Sequence, residues 1–217
     1  YYIGTCKLKA MESLLKFRPK KDYICNKTGL AWLKLDITVP VEEIHNEFKN
    51  CANQVVKHRG NDKWANLSHK GWCSATLYGV NSTVTTSSNL QHNWTKLADK
   101  CPKTIKWVND NFIISKSTGR IRFMLLEPGG YILPHHDRDI SGLQEINVAI
   151  TQPKGCVFRF LDRGTIPFRA GDAYIIDTSN KHLVWNNSDQ YRLHMILHTN
   201  IEDKILEDSY ANRFYST

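Results

Sequence analysis

The sequence predicts a mainly β fold, a sandwich or jelly roll, with flanking helices. After residue 120, short runs of apolar and β-branched residues alternate with turn segments that contain Gly, Pro or Asp. These runs are IRFMLLE, EINVAIT, CVFRFL, AYIIDT, HLVW and YRLHMILH. Over residues 41–58 and 94–111, apolar residues recur instead at helical spacing. Because a jelly roll encloses a cavity between its two sheets, the pattern predicts a small-ligand site in the second half of the chain.

The first half of the chain predicts helices that buttress this sheet. The predicted elements are a strand over 30–39, a helix over 41–58, a strand over 72–80, a polar loop over 82–88 and a helix over 94–111. Pro102 is expected to interrupt the last helix early. One domain over 1–217 is expected, with a mixed buttress over 1–100, a jelly-roll core over 101–200 and a C-terminal tail over 201–217.

The composition is that of a globular protein with a basic surface. The 29 Lys and Arg residues and 21 Asp and Glu residues give a formal net charge of +8. Basic and aromatic residues are not interleaved, so a solvated surface is favoured over nucleic-acid binding. No run approaches the roughly 18 apolar residues of a membrane span, and the start of the chain predicts no secretion signal.

The cysteines favour a reduced protein in the cytoplasm. The six cysteines include no C-x-x-C pair, which argues against a zinc knuckle or a dithiol redox motif. Three disulfides remain arithmetically possible. Several N-x-S/T triplets, one of them at Asn186, would suit a secreted glycoprotein instead.

The segment PHHDRD carries candidate metal ligands. His135 and Asp137 are two residues apart, so in an extended segment both side chains point to the same face. A second imidazole, His182, follows a Gly-Asp turn and a β-rich run that can return the chain to the first pair. Two histidines and one carboxylate form a facial triad, which leaves positions on iron for a bidentate 2-oxo acid and dioxygen. A surface or turn position for His135 and Asp137 is the alternative.

Arg192 lies in the apolar run YRLHMILH, ten residues after His182. A buried cation needs an anionic partner, and the planar guanidinium matches a carboxylate at two points. This favours Arg192 as the residue that binds the distal carboxylate of 2-oxoglutarate. His194 shares its face, while Leu193 and Met195 occupy the opposite face. An exposed edge strand with a solvent-facing arginine is the alternative.

Two further strands add candidate site residues. Alternation in EINVAIT places Glu145 and Asn147 on one face, which suits a cavity. In IRFMLLE, Arg122 is either a counter-ion for a substrate carboxylate or part of a surface salt bridge.

The ordered motifs P-G-G, P-H-x-D, G-D-A, H-x-V-x-N-x-S and R-x-H resemble the aspartyl/asparaginyl β-hydroxylase family, which includes hydroxylases of free proline. The resemblance covers residues 101–199. It implies a cupin-like double-stranded β-helix flanked by helices, and the use of Fe(II), 2-oxoglutarate and O2. By resemblance, His135 and His182 bind the metal, Arg192 binds 2-oxoglutarate, and Asn147 makes a secondary contact with it.

Two departures from the family pattern bear on the ligands. Some family members lack a carboxylate ligand, whereas Asp137 is present here, so the chain resembles the branch with a full triad. Those members have a basic R-x-H pair where this chain has Glu145 and Asn147. The acidic residue argues against an acidic substrate side chain and favours an amino or other cationic group.

The expected function is hydroxylation of an unactivated C–H bond of an amino acid or peptide side chain. The expected coupled reaction is decarboxylation of 2-oxoglutarate to succinate. Three rivals remain: an oxygenase that acts on nucleic acid, favoured by the basic charge, a non-catalytic cupin that binds a metal or a small acid, and a structural jelly-roll module in which His135 and His182 are incidental. Arg192 argues against the second rival, because a pure metal binder has no use for a buried counter-ion.

Overall fold

Strands form where apolar and polar residues alternate, and they cover most of the second half of the chain. The computed structural model describes residues 30–59, 68–83, 91–137 and 142–213. The described strands are β1 (Trp32–Lys34), β2 (Val56–Lys57), β3 (His69–Gly79), β4 (Asn93–Trp94), β5 (Phe112–Ile113), β6 (Ile121–His135), β7 (Gln144–Ala149), β8 (Cys156–Phe160), β9 (Gly164–Thr165), β10 (Ala173–Ile176), β11 (His182–Asn186) and β12 (Arg192–Ile201). The described helices are α1 (Val41–Asn50), α2 (Pro102–Asn111) and α3 (Asp203–Asn212).

Several predicted elements differ from the structure at their ends. The predicted strand over 30–39 is limited to the short β1, which pairs with β10. The predicted helix over 41–58 ends at Asn50, and Val56 instead pairs with β3. Pro102 does not interrupt a helix: it occupies the first turn of α2, where its missing N–H costs nothing. Most of the predicted loop over 82–88 lies outside the described residues.

The C-terminal end of the chain contains a helix that the sequence did not predict, and part of the N-terminal end lies outside the described residues. Within the predicted tail over 201–217, residues from Asp203 form helix α3. The first 29 residues of the predicted buttress lie outside the described residues. None of the described helices has the length and the apolar character needed to cross a membrane.

Strand β6 connects two layers of antiparallel sheet. Its first half, from Ile121 to Leu126, pairs with β12, and its second half, from Tyr131 to His135, pairs with β11. Strand β3 runs along the other edge of β6. The main path of the sheet is β1-β10-β7-β12-β6-β11-β8-β9. This curled antiparallel sheet confirms the predicted jelly roll with few helices.

The bend in β6 depends on the P-G-G motif. Gly129 has φ +67°, a left-handed conformation that favours glycine. At Gly130, a Cβ atom would lie 2.8 Å from the Glu127 carbonyl oxygen and 2.9 Å from that of Lys70. Only glycine fits this close approach of backbones, so the two glycines let β6 leave one layer and enter the other.

Two apolar clusters lie on opposite faces of the sheet. The cluster behind the sheet includes Leu193, Met195 and Leu197 of β12 and packs against residues of α1 and α2. The cluster between the two layers includes Leu126, Phe158 and Phe168. The alternation in YRLHMILH therefore sends its apolar residues to the helices and turns Arg192 and His194 toward the space between the layers.

Asn186, at the end of β11, ties three strand ends together. Its Nδ2 donates to the carbonyl oxygens of Leu126, Glu127 and Gln190 at 2.9, 3.1 and 2.8 Å. Its Oδ1 accepts from the Ser188 hydroxyl at 2.6 Å. This bonding explains the N-x-S part of the sequence motif. Because Asn186 is fully buried, it is not a glycosylation site in the folded protein.

We expect Asn186→Ala to lower the free energy of unfolding by about 2–4 kcal/mol, because several buried carbonyl and hydroxyl groups lose their partner. Urea denaturation measures the change. The matched control is Asn187→Ala, which removes an exposed amide and should stay within about 0.5 kcal/mol of the parent. An Asn186→Ala protein as stable as the control would contradict this role.

Candidate active site

Two histidines face each other where β6 and β11 pair. His135 is the last residue of β6, and its register partner is His182, the first residue of β11. Their ring centroids are 4.3 Å apart. The backbone N–H of Asp137 donates to the Thr178 carbonyl at 3.0 Å, which holds the carboxylate beside the rings. The sheet register therefore brings together the three residues that the sequence predicts as metal ligands.

The donor atoms of these residues converge on one point. One atom from each residue lies within 4.8 Å of the other two. The Nε2 atoms of His135 and His182 are 3.9 Å and 3.8 Å from carboxylate oxygens of Asp137. Within the described ranges, no other group of three His, Cys, Asp or Glu side chains converges in this way.

Backbone carbonyl groups fix the protonation of both imidazoles. Nδ1 of His135 lies 2.8 Å from the Leu133 carbonyl oxygen, and Nδ1 of His182 lies 2.9 Å from that of Asn180. Because a carbonyl only accepts, each Nδ1 carries the proton and each Nε2 presents a lone pair. The His182 ring stacks on Phe158 with centroids 5.0 Å apart. Two such imidazoles and a carboxylate fit an iron(II) site with open positions.

The guanidinium of Arg192 is buried between the layers. It is 5% exposed, which excludes the solvent-facing alternative. Its Nε donates to Gln152 Oε1 at 3.2 Å, its Nη2 lies 3.0 Å from His194 Nδ1, and its Cζ lies 5.8 Å from the centroid of the Phe168 ring. Among the described residues, no carboxylate lies within ion-pair distance of it. Burial lowers the pKa of Arg192 to about 10, so the group stays charged at neutral pH.

His194 packs beside this arginine and is fully buried. Its Nδ1 lies 2.6 Å from Asn147 Oδ1, and its Nε2 lies 2.9 Å from Gln152 Oε1. Burial, with a smaller effect of Arg192, lowers the pKa of His194 well below its ordinary value, so the ring is neutral. A neutral imidazole has one N–H, and the amide orientations of Asn147 and Gln152 set which nitrogen carries it. Arg192 is therefore the charged member of this cluster.

A second buried arginine lies in the first half of β6. Arg122 is 5% exposed, which excludes the surface salt bridge, and its Nε has no hydrogen-bond partner among the described residues. Its register partners are Thr76 on β3 and Ile196 on β12. Burial is the main cause that lowers the pKa of Arg122 to about 9, and nearby Arg120 contributes. Like Arg192, Arg122 is a buried cation without a carboxylate partner among the described residues.

The charges around Arg122 are mixed. The cations Arg120 and Arg59 lower its pKa, whereas the carboxylates of Glu145 and Asp137 raise it. The same three arginines act with burial to lower the pKa of His58 to about 2, so this histidine is neutral. Arg122 thus shares its surroundings with the candidate metal ligand Asp137.

Glu145 is buried on β7, two residues from Asn147. The Thr178 hydroxyl donates to its carboxylate, and the Thr178 carbonyl binds Asp137. Glu145 and Arg122 do not form an ion pair with each other. The predicted residues thus form three groups: the histidine and aspartate triad, the Arg192 cluster that includes Asn147, and the pair of opposite charges near Asp137.

Sequence reasoning missed several residues that shape these groups. Gln152 contacts both Arg192 and His194, and Thr178 bonds to both Asp137 and Glu145. Gln152 follows the predicted strand run EINVAIT and Thr178 ends the run AYIIDT, positions where a polar residue resembles any other turn residue. Their roles depend on which strands are neighbours, which the sequence pattern does not specify.

Comparison with known proteins adds the family. Residues 40–200 match the family model described as Aspartyl/Asparaginyl beta-hydroxylase, which is well over half of the chain. No match is found among the curated proteins. A 2OG-Fe(II) oxygenase family oxidoreductase from Burkholderia pseudomallei superimposes with a TM-score of 0.52 at 11% identity, covering 86% of this chain and 94% of that chain. A prolyl-4-hydroxylase from Pseudomonas putida has a TM-score of 0.49 at 12% identity, covering 89% of this chain and 99% of that chain.

The structural match supports the fold, and the family model supports membership of the family. At 11% identity, the Burkholderia structure supports the fold, and it agrees with the observed jelly roll. The match over residues 40–200 extends through the triad, both buried arginines and the supporting helices. The chain therefore belongs to the Aspartyl/Asparaginyl beta-hydroxylase family and is an enzyme that uses Fe(II), 2-oxoglutarate and O2.

Proposed function

We propose that this enzyme hydroxylates an unactivated C–H bond of an amino acid or a peptide side chain, and that it couples this reaction to decarboxylation of 2-oxoglutarate to succinate. The observation that supports this is a two-histidine, one-carboxylate triad linked through Phe158 and Phe168 to a buried arginine that has no anionic partner among the described residues. A metal site alone would not require a buried arginine that lacks an anionic partner among the described residues.

In this proposal, His135, Asp137 and His182 hold Fe(II). Both Nε2 lone pairs face the Asp137 carboxylate, so the protein side of the site is complete before a ligand arrives. When bound, Fe(II) and 2-oxoglutarate supply the oxidising chemistry, in which one oxygen atom of O2 enters the substrate as a hydroxyl group and the other enters succinate. The carbonyl groups of Leu133 and Asn180 keep both histidines in the tautomer that binds a metal.

Arg192 would bind the distal carboxylate of 2-oxoglutarate. Its Nε and Nη2 contact Gln152 and His194, whereas its Nη1 makes no hydrogen bond within the described part of the chain. The proposed carboxylate would supply the missing anion and accept from the free N–H groups. His194 and Asn147 would position the guanidinium from one side, while Phe168 excludes water from its face.

Arg122 and Glu145 would bind the substrate. The buried guanidinium of Arg122, whose Nε has no hydrogen-bond partner among the described residues, would suit a substrate carboxylate, and the carboxylate of Glu145 would suit an amino group. An α-amino acid carries both charges, so the two residues together favour a zwitterionic substrate. Arg120 and Arg59 would strengthen the attraction for the carboxylate.

Action on nucleic acid is the second candidate function. The net charge of +8 favours it, and the arginines near the triad would face a phosphate. Binding to oligonucleotides would then weaken steeply as the salt concentration rises. Turnover that requires an amino acid and ignores oligonucleotides would exclude this candidate.

We expect His182→Ala to weaken Fe(II) binding by about 100-fold or more. Loss of a residue that only hydrogen-bonds a metal ligand already weakens binding by up to about 100-fold, and loss of the ligand itself should cost at least as much. Anaerobic titration calorimetry measures the affinity, and succinate release should fall in parallel. The matched control is His136→Ala, since His136 is exposed and adjacent to the triad. A His182→Ala enzyme that consumed 2-oxoglutarate at the parent rate would refute the ligand assignment.

We expect Arg192→Gln to raise the Kd of 2-oxoglutarate by about 30-fold or more, because the carboxylate would lose a buried charged partner. Anaerobic addition of Fe(II) and 2-oxoglutarate should give a visible charge-transfer band, and its titration measures the Kd. Arg192→Lys should be intermediate, since it keeps the charge but loses the planar fork. Exposed Arg159 on β8 provides the control Arg159→Gln. An unchanged Kd in a folded Arg192→Gln protein would contradict the assignment.

We expect Arg122→Gln to lower kcat/KM for an amino-acid substrate by about 30-fold or more while leaving the Kd of 2-oxoglutarate unchanged. The substrate is first found by screening free L-amino acids for stimulated succinate release. Its α-amide, which lacks the carboxylate, should be a poor substrate for the parent and should lose little further activity in the variant. Equal activity of parent and variant toward the free acid would remove Arg122 from the substrate site.

A further inference from the structure

A pair of cysteines lies outside the active site, where helices α1 and α2 meet. Cys51 directly follows α1, and Cys101 directly precedes α2. Their Sγ atoms are 3.7 Å apart, although 50 positions separate them in sequence. Both residues are 0% exposed. The proposed reaction uses neither of them.

The helices themselves hold the two thiols together. Both oxygens of the Glu47 carboxylate accept backbone N–H groups in the first turn of α2, from Lys103 and Thr104, each at 2.8 Å. This cap fixes the end of α1 against the start of α2. The Cys51 thiol donates to the Glu47 carbonyl oxygen at 3.1 Å. The short distance between the sulfurs therefore follows from the packing of the helical layer.

The other described cysteines lack this arrangement. Cys73 lies on β3, and the Cys156 thiol donates to Asn186 Oδ1 at 3.1 Å. Among the described residues, Cys51 and Cys101 are the only thiol pair in contact. The pattern of six isolated cysteines in the sequence gives no sign of this pairing.

We propose that Cys51 and Cys101 are a modification site, at which a low-molecular-weight disulfide oxidises the two thiols to a reversible disulfide that staples α1 to α2. A disulfide bond requires the sulfurs to approach to about 2.05 Å. Side-chain rotation at the end of α1 supplies this small movement, because Cys51 lies beyond the last helical residue.

The chemistry balances with oxidised glutathione as the oxidant. When the end of α1 opens locally and exposes Cys51, its thiolate attacks one sulfur of glutathione disulfide, which forms a mixed disulfide and releases one glutathione thiolate. The Cys101 sulfur, after losing its proton to that thiolate, attacks the Cys51 sulfur and releases the second glutathione. The two protein thiols lose two electrons and two protons, and glutathione disulfide gains them. A hydrogen bond from Cys101 lowers the pKa of Cys51, which makes Cys51 the attacking sulfur.

The disulfide would stabilise the helical layer that packs behind β12. Phe48 of α1 packs against Phe123 of β6, with ring centroids 5.2 Å apart, and against Tyr191, at 6.3 Å. His45 of α1 bonds to the Tyr191 hydroxyl at 2.5 Å. Tyr191 directly precedes Arg192. Closing the loop between Cys51 and Cys101 would therefore stabilise the support behind the Arg192 strand.

The test uses the full chain, equilibrated in glutathione buffers from fully reduced to fully oxidised. Acid quenching, alkylation under denaturing conditions and peptide mass spectrometry then locate the disulfides. We expect a linked peptide that contains Cys51 and Cys101, which dithiothreitol reverses. The melting temperature of the oxidised protein should exceed that of the reduced protein by roughly 5–15 °C.

Variants separate this pair from the other thiols. Cys51→Ser and Cys101→Ser should each abolish the linked peptide and the temperature shift, whereas Cys73→Ser should keep both. If either serine variant fails to fold, the peptide map of the parent protein still decides. Free thiols at both positions after equilibration in oxidising buffer, a different pairing, or an unchanged melting temperature of the linked protein would overturn the proposal.

Discussion

The candidate active site depends on the change of partner along strand β6. One edge of β6 pairs with β3 along its length, while the other edge pairs first with β12 and then with β11. Because one strand edge bonds to one neighbour at a time, β12 and β11 must separate where the partner changes. The left-handed φ of Gly129 and the close backbone approach at Gly130 lie at this change of partner. Strand β12, which carries Arg192, and strand β11, which carries His182, therefore both pair with β6. Strand β6 fixes their relative position.

The buried cations explain why this cavity is polar. Arg192 and Arg122 are each 5% exposed, and neither has a carboxylate partner among the described residues. A buried charge without a partner is costly, and packing alone would favour an apolar residue at either position. Under the proposed function, each position would lower the stability of the empty protein in exchange for anion binding. Binding of an anion at either position should stabilise the folded state by mass action.

The sequence predicted the faces of strands better than their neighbours. Alternation alone placed Arg192 and His194 opposite Leu193 and Met195, because side-chain direction depends only on local geometry. It did not decide whether Arg122 is buried, since burial depends on β3 and β12 on either side. The bonds of Gln152 to the arginine cluster require strand register as well. Local motifs such as P-G-G and N-x-S were visible in the sequence, but their bonding was not.

Arg122 and Glu145, the two candidate substrate-binding residues, lie near the charges of the candidate metal site. Without a metal, the carboxylates of Asp137 and Glu145 partly offset the charges of Arg122, Arg120 and Arg59. In the proposed site, the two negative charges of 2-oxoglutarate would balance the two positive charges of Fe(II). The attraction for a substrate carboxylate would then come from Arg122, Arg120 and Arg59 rather than from the metal. Under the proposed function, Glu145 would favour an amino group and the arginines would favour a carboxylate, and an α-amino acid carries both groups.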